Sequence, residues 1–190
     1  MKPLASYIVD FAARLKFIQD WIDNDCPPVF WLSGFYFTQS FLTGLKQDFA
    51  RKFTIAIDKI DFTFHVISDE SKYDLTKAAP DGAYVDGLFI EGCRWDDKMG
   101  VLAESLPKVL LSKMPRIWMK PQEVDAKTGK IDHGHIYVCP LYKTLERFGT
   151  LSTTGHSTNY VVDVMLPIQQ KHPESHWIKR GVAMVTQDND

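Results

Sequence analysis

The chain is short of the features that most often announce chemistry. Its three cysteines, Cys26, Cys93 and Cys139, are odd in number and far apart in 190 residues. That spacing argues against a disulfide framework and for a reducing compartment. No CxxC pair occurs, and no G-x-S-x-G elbow. A nucleotide site needs backbone amides and an ammonium around phosphate, hence a glycine-rich loop ending in Lys-Ser or Lys-Thr. No such loop is present, and the GLFIEG string at 87–92 has the wrong spacing for a dinucleotide fold. The protein by itself is therefore not expected to be an ATPase. No apolar run approaches the roughly 20 residues of a membrane span, and no signal peptide opens the sequence. Net charge is -2 with pI near 6.3 and no block of one sign, which removes a general electrostatic grip on nucleic acid or anionic membrane. The expectation is a soluble intracellular protein, or a piece of one.

What is present is a core. The composition is 45% hydrophobic and 13% aromatic, enough to bury a domain of ordinary size and to exclude disorder as the main state. Leu4, Ile8, Phe11, Leu15, Ile18 and Ile22 recur at steps of four and three. They form one helical stripe that needs a partner surface, with Asp10, Arg14, Lys16 and Asp20 away from it. Pro3 suits a first turn, and Asn24 with Pro27-Pro28 ends the helix. An aromatic patch at 29–37 reads as a buried elbow, or, if uncovered, as a docking surface. A second helix follows from Thr38, read as its N-cap, to about Lys52, with Phe41, Leu42, Leu45 and Phe49 on its stripe. Gly44 in its middle predicts a close neighbour.

The remainder reads as short strands and turns. Strands are expected at 60–67, 84–91, 115–120 (ended by Pro121), 135–139 (closed by Pro140), 160–166 and 182–186. Residues 68–81 form a loop with room for one helical turn, and residues 125–134 read as a polar hairpin-like connection. A short helix or turn is expected around Ala103-Glu104-Ser105. Frequent turns without regular intervening helices predict an α+β protein: N-terminal helices, 1–55, packed on a small antiparallel barrel-like sheet, 56–190.

Two clusters of chemistry-bearing residues stand out. His133, His135, Cys139 and His156 carry ligand types that suit zinc and would serve a stand-alone metal-dependent hydrolase. Against it, a lone HxH is a weak signal, and the alternative is surface histidines. Residues 153–159 read more simply as a hydroxyl-rich turn than as Ser/His/Asp machinery. The second cluster, Asp86, Glu91, Asp96 and Asp97 beside Arg94 and Lys98, can be paired carboxylates for acid/base work or ion pairs at strand ends. The structural reading is preferred: a corner in which Gly87 and Gly92 bend the backbone, Trp95 anchors it, and Arg94 with Asp96 and Asp97 pins the turn.

Several long motifs then occur in a familiar order: FYFTQSFLTG at 35–44, ARKF at 50–53, VDGLFIEGCRWD at 85–96, CPLYKT at 139–144 and HWIKRGVA at 176–183. Over nearly all its length the sequence resembles the extreme C-terminal domain of dynein heavy chains. Tyr142, Lys143 and Thr144, with Arg147 and the GTLSTTGHSTN run at 149–159, look like the axonemal branch, inner-arm type especially. Two departures are Ala56 in place of a common proline and Cys93 in place of a common alanine.

The resemblance implies a non-catalytic structural and regulatory cap, lying on the AAA+ ring of a microtubule motor and ending in a small β-barrel. Its structural signature would be Gly87, Gly92, Arg94, Trp95, Asp96, Pro140, Arg147, Trp177 and Gly181. No cofactor is implied for this region, with ATP and Mg belonging to the parent ring. Implied partners are the AAA+ modules of the same heavy chain and dynein complex subunits. Microtubules would be reached only through the parent, in a ciliary or flagellar axoneme, with no nucleic acid and no membrane. The first helix would be the end of a longer helical region, its apolar stripe meeting helices upstream or the ring.

Overall fold

The computed structural model describes residues 3–124, 135–147, 150–151, 153, 155 and 157–187. The fold begins with helix α1 (Leu4–Asn24), strand β1 (Val29–Trp31) and helix α2 (Thr38–Phe53). Strands β2 (Ile60–Val66), β3 (Ala83–Asp86), β4 (Phe89–Glu91), β5 (Cys93–Asp96), β6 (Val101–Glu104) and β7 (Leu111–Lys113) come next. Then follow β8 (Ile117–Glu123), β9 (Ile136–Tyr142), β10 (Tyr160–Pro167), helix α3 (Glu174–Lys179) and β11 (Ala183–Val185).

Local chemistry sets the helix limits. Pro3 precedes α1 at φ -54, and Asp25 ends it at φ 69, just before the two prolines. Proline's missing N–H is harmless at a helix start and fatal to its continuation. Thr54 closes α2 in the left-handed region, its N–H bonded to the Ala50 carbonyl, with Arg51 and Lys52 favourably placed in the last turn. The cap expected at Thr38 is not made: Phe37 holds the N-cap position without a side-chain bond, and Thr38 is the first helical residue.

Among the described residues, three open sheets replace the expected barrel. The first runs β1-β3-β8-β2, the second β10-β9-β11-β4-β7, and β5 pairs β6 as a separate hairpin. Pairing is mixed, because β1 lies parallel to β3 and β11 parallel to β9. The α+β class holds; closure and the purely antiparallel character do not. The physical reason lies in how the backbone switches sheets. Gly87, at φ 78, separates β3 from β4, and Gly92, also at φ 78, separates β4 from β5, so one apparent strand at 84–91 serves two sheets. Many short strands with turns describe such a path as well as they describe a barrel, since closure depends on whether edge strands pair.

Other expectations shift for similar reasons. The aromatic elbow contains β1, whose Phe30 is buried and whose partner is Val85. Residues 101–104 form β6 rather than a helix or turn. Pro121 does not end its strand: β8 runs to Glu123, pairing Pro121 with Phe62 of β2 beyond the register of β3. Among the described residues no strand pairs with β8 on that side at Pro121, where a missing N–H is tolerated. Pro140 likewise lies inside β9, opposite Asp163 of β10. One buried cluster joins the two larger sheets and the hairpin, including Val85, Ile90, Leu102, Met119, Leu141 and Trp177. Among the described residues, no helix is long and apolar enough to cross a membrane.

Candidate functional site

Helix α1 is turned inside out relative to its hydrophobic pattern. Its one buried residue is Arg14, at 4% exposure. The guanidinium donates to the Ser33 carbonyl, and Nε donates to Asp10 at 2.8 Å, one turn back. The Trp31 and Tyr36 rings flank it at 5.6 and 5.2 Å, where their faces attract a cation. On the same side Phe17 packs edge-on against Trp31 and Phe35, and Trp21 against Phe30 and Phe35. The regular stripe faces out: Leu4 is 74% exposed, Ile22 73%, and Ile8, Phe11, Leu15 and Ile18 are all exposed. A contiguous apolar face of this kind marks an interaction surface.

Beside it, α1, α2 and the aromatic patch enclose a groove of about 760 Å³ lined by Trp21, Phe30, Phe35, Phe41 and Leu45, among others. Gly44 opens onto this groove. A Cβ built there meets nothing within 4 Å, so the close neighbour expected from the helical glycine is absent. Tyr36 and Phe37 continue the exposed apolar surface at the groove's rim.

The residues of the signature stretch form a packed corner. At Gly82, φ is 73, and an added Cβ would sit 2.0 Å from the Met119 carbonyl oxygen; only glycine fits. At Gly87 an added Cβ would lie 2.7 Å from the Trp31 ring. Trp95 is 7% exposed, and its indole N–H donates to Ser68 Oγ at 2.8 Å. Asp96 Oδ1 accepts from the Lys98 and Met99 backbone N–H groups, closing the β5–β6 turn, while Arg94 reaches Asp96 at 3.6 Å. The carboxylates are shared out among separate cations. Asp86 faces Arg116 and Lys113, and Glu91 faces Arg147. Arg147 also donates to the Gly181 carbonyl at 2.7 Å. Gly181, at φ 65, ends α3: its N–H bonds to Ile178 O, and Val182 N–H reaches back to Trp177 O, the two bonds of a Schellman cap. Trp177 and Val182, both buried, supply the accompanying apolar contact.

Of the four candidate metal ligands, the structure describes His135 and Cys139, and it does not bring these two together. His133 and His156 lie outside the described residues. His135 is exposed at the start of β9, whereas Cys139 is completely buried in the core. Burial pushes the Cys139 thiol well above its ordinary range, with Cys93 adding to the effect. Cys93 is pushed up to about 12, chiefly by burial. Among the described residues a different set comes together: Glu104 of β6 with His172 and His176, whose ligand-type atoms lie within 4.8 Å of one another. The i, i+4 spacing of the histidines is visible in the sequence. The strand that delivers Glu104 is not, because its few residues read equally well as a helix or turn.

Comparison with known proteins supplies the family. The family model for the C-terminal domain of dynein heavy chains matches residues 1–186. Dynein axonemal heavy chain 3 of Homo sapiens is 54% identical over 187 residues, 98% of this chain and 4% of that protein. Dynein axonemal heavy chain 12 of Homo sapiens is 52% identical over 191 residues, 100% of this chain and 6% of the relative. Dynein axonemal heavy chain 1 of Mus musculus is 51% identical over 185 residues, 97% of this chain and again 4% of the relative. The sequence thus spans about one-twentieth of the length of these curated relatives. None of these relatives supports a stand-alone hydrolase.

Proposed function

The protein belongs to the family of C-terminal domains of dynein heavy chains, and from that premise we propose that it is the non-catalytic structural and regulatory cap of an axonemal dynein, inner-arm type. It works in the axoneme of a cilium or flagellum. Its partners are the AAA+ modules of the same heavy chain and, through them, the dynein complex. ATP, Mg and microtubules are engaged by the parent motor. The observation that carries this reading is the outward stripe of α1. Arg14, Phe17 and Trp21 hold the helix to its own domain, which leaves Leu4, Ile8, Phe11, Leu15 and Ile22 for another surface. A relative of which this domain makes up only 4% has ample further surface to cover it. A cap regulates only by contacting the ring differently in its different states. The α1 face is suited to that, because its contacts are apolar and can be made or released without breaking the cap's own core.

The test is to place Ile8→Asp together with Phe11→Asp in the parent heavy chain and measure ATPase rate and microtubule gliding. The isolated domain should keep its stability within about 0.5 kcal/mol, as exposed positions do, while the motor's rates change. Unchanged rates in the motor would remove the docking role. ATP hydrolysis by the purified domain alone would remove the non-catalytic one.

A further inference from the structure

We propose that Glu104, His172 and His176 form an exchangeable zinc site that clasps the segment leading into α3 to the β5–β6 hairpin. The site is separate from the α1 face and does not depend on it. Two imidazoles and one carboxylate are a ligand set that suits zinc and leaves a fourth position for water.

Both sides of the clasp are held before any ion arrives. His176 lies on α3, where the fully buried Trp177 next to it anchors the helix. The Trp177 indole N–H donates to the His172 carbonyl at 3.2 Å, which fixes the backbone of the second histidine. The two imidazole rings stack with centroids 4.5 Å apart. Glu104 ends β6, paired across the hairpin with Cys93. One of its oxygens meets His176 Nε2 at 2.8 Å, and Arg180 holds the other at 2.7 Å. That second bond orients the carboxylate much as outer-shell partners orient metal ligands. Zinc bonds of about 2.0–2.2 Å at tetrahedral angles ask for ligand atoms roughly 3.4 Å apart. Ligand atoms already within 4.8 Å reach that arrangement by side-chain rotation. All three residues are half-buried, so an ion enters from solvent. The Arg180 charge opposes a dication, which keeps the site exchangeable rather than permanent.

The site explains what the ion pair alone leaves over. Glu104 and Arg180 satisfy each other without either histidine, yet His176 also bonds this carboxylate and His172 brings a ring nitrogen within 4.8 Å of it. An ion there would tie residues 172–176 to a strand far earlier in the sequence and so stiffen the lead into β11. No reaction step is assigned to it.

The test uses the 190-residue protein, stripped of metal by a chelator and desalted, with zinc ion alone as probe. Calorimetry should show one zinc per molecule. At a hundredfold excess over Kd, the melting temperature should rise by about 5–11 °C, and chelator should reverse the shift. Hydrogen exchange should slow in residues 101–104 and 169–180. His172→Gln and Glu104→Gln should each weaken binding by more than about 10-fold, because even outer-shell losses cost 10–100-fold. His135→Gln should leave it unchanged, and circular dichroism should show each variant folded. If one of the two ligand variants fails to fold, the other decides. Absence of a saturable site, equal affinity in the ligand variants, or exchange slowed elsewhere would each overturn the proposal.

Discussion

Replacing Arg14 by alanine should loosen α1 from the rest of the protein. The wild-type guanidinium satisfies the Ser33 carbonyl, in a residue only 5% exposed, and lies between two aromatic rings. Stripping a buried carbonyl of its donor costs about 1–3 kcal/mol. Losing the ring contacts adds about 0.5–1 kcal/mol. The Asp10 pair adds at most about 1 kcal/mol, because its carboxylate is 29% exposed and water takes over part of the interaction. The expected loss is about 1.5–5 kcal/mol. Arg14→Lys keeps the charge but not the fork that serves Asp10 and Ser33 together, so it should fall between the two. Urea unfolding followed by tryptophan fluorescence reads this directly, since Trp21 and Trp31 belong to the same packing unit. Proteolysis near residues 25–28 should accelerate in parallel. A stability within about 0.5 kcal/mol of wild type, with no new cleavage, would show that the buried arginine does not hold the helix.

Two further outcomes test the corner and the core. Trp95→Ala should destabilise by about 3–5 kcal/mol, whereas Trp95→Phe should lose only the indole bond to Ser68, about 1 kcal/mol; loss of motor function with an intact, fully stable fold would return the stretch to a site reading. Under native conditions, thiol reagents should modify Cys26 alone, since Cys93 and Cys139 are buried and their thiols are pushed up. Reaction of all three before unfolding would contradict the burial.

Local chemistry makes part of this fold readable in advance. The period of α1, its prolines and the turn residues around it are consequences of nearest neighbours, and so are visible. Gly87 and Gly92 are readable as bends for the same reason. The outward stripe is readable as a surface in need of a partner. Which side of α1 faces its own domain is not, because hydrophobicity counts Arg14 as polar. Only after Ser33, Trp31 and Tyr36 are brought together does a pocket exist in which a guanidinium is the best-satisfied occupant. Residues 101–104 are illegible for a related cause. A four-residue strand carries too little pattern to declare itself, and its pairing with β5 depends on a turn closed by Asp96.

By itself the sequence determined the family, since long motifs in a given order need no coordinates. It also determined the α+β class and the existence of an amphipathic first helix. The tertiary structure alone decided that the sheets stay open, that Cys139 is core rather than ligand, and that Glu104 meets His172 and His176. Each of these depends on residues far apart in sequence, as the pairings of β1 with β3 and β11 with β9 do. Contacts of that kind are set by how finished elements pack, and no local spacing encodes them.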